Sequence, residues 1–196
     1  LDLVRDPRWG RVMESNGEDV YLSKKIATSY VKGYQQDTLA SYDSVACCLK
    51  HFCVYGAAEG GREYNTVDVS LNSLHNDYLP PFKAGIEAGA SMVMSSFNVF
   101  NGVPVTVNKY LLRDVLRDEL GFSNTVTFGL ELEFEKADRN RIEDKLWDAG
   151  LYSEWNVKSD SSLDNGAEIN SPILRDKEEN WISLRNVCDI VKEHAI

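Results

Sequence analysis

Two short apolar runs, SVACCLKHF at 44–52 and SMVMSSF at 91–97, constrain this chain most. Each is too short for a core helix and ends in polar or charged residues, which suits a strand buried on both faces. Each is followed by a polar, Gly-containing loop, YGAAEGGREYNTVD and NVFNGVPVTVN, and then by a helical pattern. Strand, loop and helix in repetition predict parallel βα units.

The flanking helices are read from periodicity. Leu22, Ile26, Tyr30 and Gly33 keep helical spacing and predict an amphipathic helix over 19–35. Residues 71–88 read as a helix interrupted at Pro80-Pro81, because an interior proline removes a hydrogen bond and clashes with the preceding turn. Gly89 is a natural stop, and another helix is expected from Lys109 to Leu120.

Beyond Phe122 the pattern changes. Val126, Phe128, Leu130, Leu132 and Phe134 alternate with Thr125, Thr127, Gly129, Glu131, Glu133 and Glu135, which predicts one strand, apolar on one face and acidic on the other. A helix at 139–149 presents Ile142 and Leu146, strands follow at EWNVK and GAEIN, and a last helix at 177–194 aligns Trp181, Leu184, Cys188 and Val191. The expected fold class is α/β: a partial TIM-type (β/α) barrel over 1–122, then a small α+β segment over 123–196.

Composition narrows the partners. With 31 acidic and 21 basic side chains the net charge is −10, so nucleic acid and anionic membranes are disfavoured by long-range repulsion. No apolar run approaches the roughly 18 residues of a spanning helix, and the opening LDLVRDPRWG has no charged-then-apolar leader. Cys47, Cys48, Cys53 and Cys188 form no zinc-spaced set and read as reduced, mostly buried thiols.

Taken singly, KHF at a strand end and RDPRWGR in a loop are equally consistent with structural roles. In order, however, RDPRWGR, ES, CLKHFCVYG, GREYN, YLPPF, MSSFNVFNGVPV and LRDELGF resemble glycoside hydrolase family 3, most closely its β-glucosidases, over residues 1–122. The resemblance implies about the third to sixth of the eight βα units of a barrel. It implies that Arg11, Lys50 and His51 grip the hydroxyls of a glucosyl unit, with Arg62 of the GREYN loop lining the pocket and Phe97 and Asn98 at its rim. Arg and Lys donate to vicinal hydroxyls, and His donates or accepts. The expected partner is glucose or a β-glucoside, without a cofactor, and the family is often periplasmic or secreted.

Retaining hydrolysis needs two carboxyls flanking the bond. Counting from Phe122, the position of the family's nucleophilic Asp holds Gly129, and the acid/base Glu usually comes from a second domain. No catalytic residue is therefore assigned, and no turnover is expected. Four units of a barrel would also leave open sheet edges, prone to oligomerisation or aggregation.

The acidic strand has two readings. Glu131 and Glu133 stand about 6.6 Å apart on one face, at roughly 3.3 Å per residue, and either face solvent or hold a cation. FGLELEFE, EWNVKSDSSLDNGAEINSPIL and WISLRNVCDIVK resemble the opening third of the amidoligases, ATP-dependent carboxylate–amine ligases related to glutamine synthetase. That resemblance implies Glu131, Glu133 and Glu168 as Mg²⁺ ligands beside ATP. Asp160 is less decided, because its turn also suits a local cap. The chain is thus expected to join two partial catalytic domains near Phe122 to Thr125. Alternatives are a ligase fragment with a passenger, or a non-catalytic sugar-binding or interaction module.

Overall fold

The structure is a computed structural model, and it describes residues 1–63, 65–128, 131–134, 139–153, 155–160, 166–170 and 178–194. Of these, 131–134, 158–160, 166–168, 178–181 and 191–194 are described by their backbone alone. The chain divides into two compact units, Leu1–Val126 and Thr127–Ile196.

In the first unit α1 spans Val20–Gln35. Asp19 starts it: its carboxylate accepts from the Leu22 N–H at 2.8 Å, satisfying one of the donors a helix start leaves free. The buried stripe is Ser23, Ala27, Val31 and Gln35, whereas Leu22 and Tyr30 are exposed. The expected stripe through Leu22, Ile26 and Tyr30 is therefore off by one residue. Small side chains at Ser23 and Ala27 let the helix sit close on its partner α3 (Leu79–Glu87), and close approach outweighs the size of the apolar residues beside them.

Gln35 fastens this helix to the sheet. Its Oε1 accepts from the Cys47 N–H at 2.9 Å, the Ser91 N–H at 3.0 Å and the Ser91 hydroxyl at 2.7 Å, and its Nε2 donates to the Gly89 carbonyl at 2.8 Å. Every contact serves a group just ahead of a strand.

The two expected parallel strands are β1, Cys48–Phe52, and β2, Met92–Ser95, with Cys48 opposite Met92 and Leu49 opposite Val93. β1 begins at Cys48 rather than at Ser44. The register shifts between Leu49 and Phe52, and Phe52 faces Ser95. The peptide bonds Lys50–His51 and Phe52–Cys53 are cis. β5, Thr125–Thr127, lies on the far side of β2, giving the order β1-β2-β5. The class is α/β with an open three-stranded sheet. Val99–Phe100 (β3) and Val103–Pro104 (β4) form a hairpin beyond it.

Pro80 and Pro81 do not break the helix. α2 (Leu71–Ser73) passes into a π-wound segment, Leu74–Tyr78, and then directly into α3, which has the prolines in its first turn. The Leu79 N–H reaches back to the Leu74 carbonyl, and the wider turn accommodates residues with no N–H to give. The segment Tyr110–Glu119 is likewise π-wound rather than an ordinary α-helix, and it buries Leu111, Val115 and Leu116. The core joins these to Phe52, Phe82, Val93 and Phe100.

The second unit holds an antiparallel sheet of order β6-β8-β7, formed by Glu131–Phe134, Gly166–Asn170 and Asn156–Asp160, with α4 (Arg139–Asp148) and α5 (Glu178–His194). Its core is Ile142, Leu146, Trp155, Val157, Ile169 and Val187. The Trp155 indole N–H donates to the Ser183 hydroxyl at 2.9 Å.

Three expectations are corrected here. The alternating stretch 125–134 is not one strand: Thr125–Thr127 joins the first sheet and Glu131–Phe134 the second. Alternation reports which side faces a core and cannot report which sheet supplies it. On α5 the buried position is Val187, flanked by the half-buried Leu184 and Ile190, while Cys188 is exposed. The cysteines form no disulfide, but only Cys53 is buried; Cys47 and Cys48 are intermediate.

Candidate functional site

The carboxyl ends of β1 and β2 meet where Ser96 donates twice, from its N–H to the Phe52 carbonyl at 2.7 Å and from its hydroxyl to the Cys53 carbonyl at 3.0 Å. His51 sits at this end and is buried, unlike the exposed Lys50 beside it. The Asp2 carboxylate holds it from two directions: Oδ2 lies 2.9 Å from ring Nδ1, and Oδ1 accepts the His51 backbone N–H at 3.3 Å. The Asp2 carbonyl accepts from the Ser15 hydroxyl at 2.7 Å, which ties the same residue to the loop carrying Arg11.

Tyr55 is the hub of the site. Its ring meets His51 edge-on at 5.1 Å, Trp9 at 5.3 Å and Phe97 at 6.1 Å between centroids. The Arg11 guanidinium lies 5.6 Å from the same ring, and the Tyr55 hydroxyl donates to Glu63. Arg11 also forks onto Glu14 with two bonds of 2.7 Å. This bond holds the Glu14 carboxyl below its usual range and raises Arg11 further above its own. Arg11 is thus a fixed cation with donors to spare, because the fork occupies only part of a five-donor group.

Lys50 points elsewhere. Together with Glu14 it lines a groove of about 490 Å³ along the open side of β1, walled by Tyr30, Tyr34 and Cys47. Glu14 therefore borders both Arg11 and the Lys50 groove. Arg62 follows the turn Glu59–Gly61 and is exposed, away from the Tyr55 cluster's bonds. That turn packs tightly: a Cβ on Gly61, which adopts φ +66°, would stand 2.8 Å from the Trp9 nitrogen. The GREYN and PRWGR loops are therefore in contact even though Arg62 itself projects outward. Tyr64 lies outside the described residues.

Asn98 is buried, and among the described residues both polar atoms of its amide lack a hydrogen-bond partner, as do Ser95 Oγ and Trp9 Nε1. Buried polar atoms left this way carry a desolvation cost. The structure brings Arg11 and His51 to one ring, sets Lys50 in the adjoining groove and leaves Arg62 at the surface. Sequence reasoning missed Asp2, Glu14 and Tyr55. Glu14 stands within the ES pair and Tyr55 within CLKHFCVYG, but neither motif assigns them a role, and Asp2 carries no periodic signal.

For the acidic candidates only backbone placement is described. Glu133 of β6 is the register partner of Glu168 of β8, Glu168 is also opposite Lys158 of β7, and Glu131 pairs with Asn170. Their side chains, and Gly129 altogether, lie outside the described residues. Among the described residues there is no group of three or more His, Cys, Asp or Glu able to hold a metal ion. Among them, too, no helix is long and apolar enough to cross a membrane.

The N terminal domain of glycosyl hydrolase family 3 matches residues 1–143. The chain belongs to that family. It is 52% identical over 122 residues to a periplasmic beta-glucosidase of Salmonella typhimurium, covering 62% of this chain and 16% of that protein. It is 41% identical over 124 residues to a beta-xylosidase of Formosa agariphila, covering 62% and 17%. Among solved structures it superposes on a beta-glucosidase from Listeria innocua in complex with glucose, with a TM-score of 0.64, 52% identity and coverage of 65% and 18%. A mutant of that enzyme was solved with laminaribiose. The chain spans about a sixth of the length of the relatives it matches. The family's match runs past Phe122, across β6 and into α4.

Proposed function

We propose that residues 1–126 carry part of the sugar site of a family 3 glycosidase and bind glucose or a β-glucoside. Arg11 and His51 contact the hydroxyls directly, Lys50 reaches them from the groove, and the exposed Arg62 of the GREYN loop lines the outer side of the pocket. In this reading the open sheet β1-β2-β5 is a section of a TIM-type barrel. The observation that carries it is the convergence of Arg11 and His51 on the Tyr55 ring. A fixed cation and an imidazole beside an aromatic wall suit a neutral, hydroxyl-dense ligand. The relatives' names support the substrate class, both β-glucosidases and a β-xylosidase being among them.

In the same reading this chain turns nothing over, since Gly129 stands at the family's nucleophile position. Saturable protection by glucose in a thermal melt tests the binding half, because stabilisation follows RT ln(1 + [L]/Kd). Release of aglycone from an aryl β-glucoside, above that of Lys50→Ala, would refute the other half.

A second reading rests on the second sheet. The antiparallel register of Glu133 with Glu168 supports a Mg²⁺ site next to ATP, as in an amidoligase, with Glu131 completing it. Mg²⁺-dependent protection by ATP, lost in Glu133→Gln, is the expected result, and its absence at millimolar concentration removes this reading. With neither ligand effective, a non-catalytic interaction module is left.

A further inference from the structure

We propose that Asp2 is the positioning residue of the sugar site: it holds His51 as the Nδ1–H tautomer, so that Nε2 acts as a hydrogen-bond acceptor toward a sugar hydroxyl. The first half stands on geometry alone, and the identity of the group at Nε2 rests on the sugar-binding reading above.

A carboxylate oxygen only accepts, and both Asp2 oxygens face donors of His51: Oδ1 takes the backbone N–H at 3.3 Å and Oδ2 takes the ring at 2.9 Å. The hydrogen of a neutral imidazole must therefore be on Nδ1, which leaves the lone pair on Nε2. Among the described residues no hydrogen bond reaches Nε2, and the edge contact with Tyr55 fixes the plane of the ring. Asp2 is itself 9% exposed and is anchored by its carbonyl to Ser15, so the orienting group is as fixed as the ring it orients.

This assigns complementary roles within the cluster. Arg11 is obliged to donate, whereas His51 accepts. A hydroxyl can meet both demands at once, and a ligand group that only accepts, such as a carboxylate, cannot. The site thereby selects for hydroxyls over anions even though it holds an arginine.

The test uses the whole chain with ¹⁵N-labelled histidines, read at neutral pH by the two-bond nitrogen–proton pattern that distinguishes the Nδ1–H tautomer, the Nε2–H tautomer and imidazolium. The expected wild-type result for His51 is Nδ1–H. In Asp2→Asn the new amide keeps one acceptor for the backbone N–H and offers an N–H to the ring, so His51 switches to Nε2–H. Glucose affinity then falls about tenfold or more, the equivalent of one hydrogen bond lost to a mismatched donor. Wild-type His51 found as Nε2–H or as imidazolium overturns the proposal without any variant. A switched tautomer with unchanged glucose affinity also overturns it. If wild-type His51 is Nδ1–H but glucose does not bind, the Asp2 assignment stands and the sugar-binding reading falls instead.

Discussion

The guanidinium of Arg11 rests 5.6 Å from the centre of the Tyr55 ring while its edge is forked onto Glu14. Tyr55 is 1% exposed and also touches His51, Trp9 and Phe97. Tyr55→Ala should cost about 3–5 kcal/mol of stability, the range for removing a buried aromatic ring. Tyr55→Phe keeps the ring, removes the hydroxyl that donates to Glu63, and should cost about 1 kcal/mol. Urea unfolding of both variants separates the ring from the hydroxyl.

The residue after Tyr55 tolerates nothing larger than hydrogen. A Cβ on Gly56 would stand 2.5 Å from the Leu3 carbonyl oxygen and 2.9 Å from Val4. On Gly85 it would instead meet the Leu49 methyls at 2.8 Å, and a side chain can rotate away where backbone cannot. Gly56→Ala should therefore destabilise by about 2 kcal/mol or more, and Gly85→Ala by less, as overpacking penalties run. A reversed order of denaturation midpoints would contradict the assignment of Leu3 backbone as the limiting contact.

Asp6 accepts from Arg8 through both side chain and backbone, and these bonds lower its pKa from 3.8 to about 2. A carboxyl with a depressed folded value contributes stability that is fully present above its unfolded value. That contribution is lost as pH falls through the folded value, here between about 4 and 2. The pair is exposed, so the effect on global stability is small. Carbonyl-carbon NMR should show Asp6 titrating near 2 in wild type and in the ordinary range in Arg8→Ala.

The four thiols should label in the order of their exposure. Cys188 is exposed and reacts first with a maleimide, and the half-buried Cys47 and Cys48 follow. Burial pushes the Cys53 thiol far up, so it should react only after unfolding. Mass spectrometry of peptides after a timed pulse reads the order directly, and early modification of Cys53 would contradict the packing of β1.

The βα grammar of the first unit was legible because strand length, loop composition and helical spacing are local properties. The position of His51 at the carboxyl end of β1 followed from the same pattern. What was not legible has one physical root. On α1 the apolar spacing of Leu22, Ile26 and Tyr30 was real, but the buried stripe was chosen by Ser23 and Ala27, whose value depends on a neighbouring helix distant in sequence. The stretch 125–134 alternates throughout, and only tertiary pairing divides it between two sheets. The prolines of α3 read as a break because the π-turn that absorbs them leaves no mark in composition. Within the site, Arg11, Lys50, His51 and Arg62 came from motif resemblance. Asp2 had no such cue, since its role exists only once the first loop is laid against the end of β1.

The Gln35 amide has a consequence for how sequence change is distributed over the first unit. It clamps α1 to the chain entering β1 and to the chain entering β2. Those are the amino ends of the strands, whereas Asp2, His51 and Tyr55 assemble at the opposite ends. The sheet therefore has a foundation edge and a working edge, and the first can stay fixed while the second is remodelled. On the proposed sugar-binding reading, drift in the loops after Phe52 and Ser95 re-shapes what is recognised without loosening the seat of the helix. A change at Gln35, remote from any ligand, loosens the frame on which every such loop is mounted.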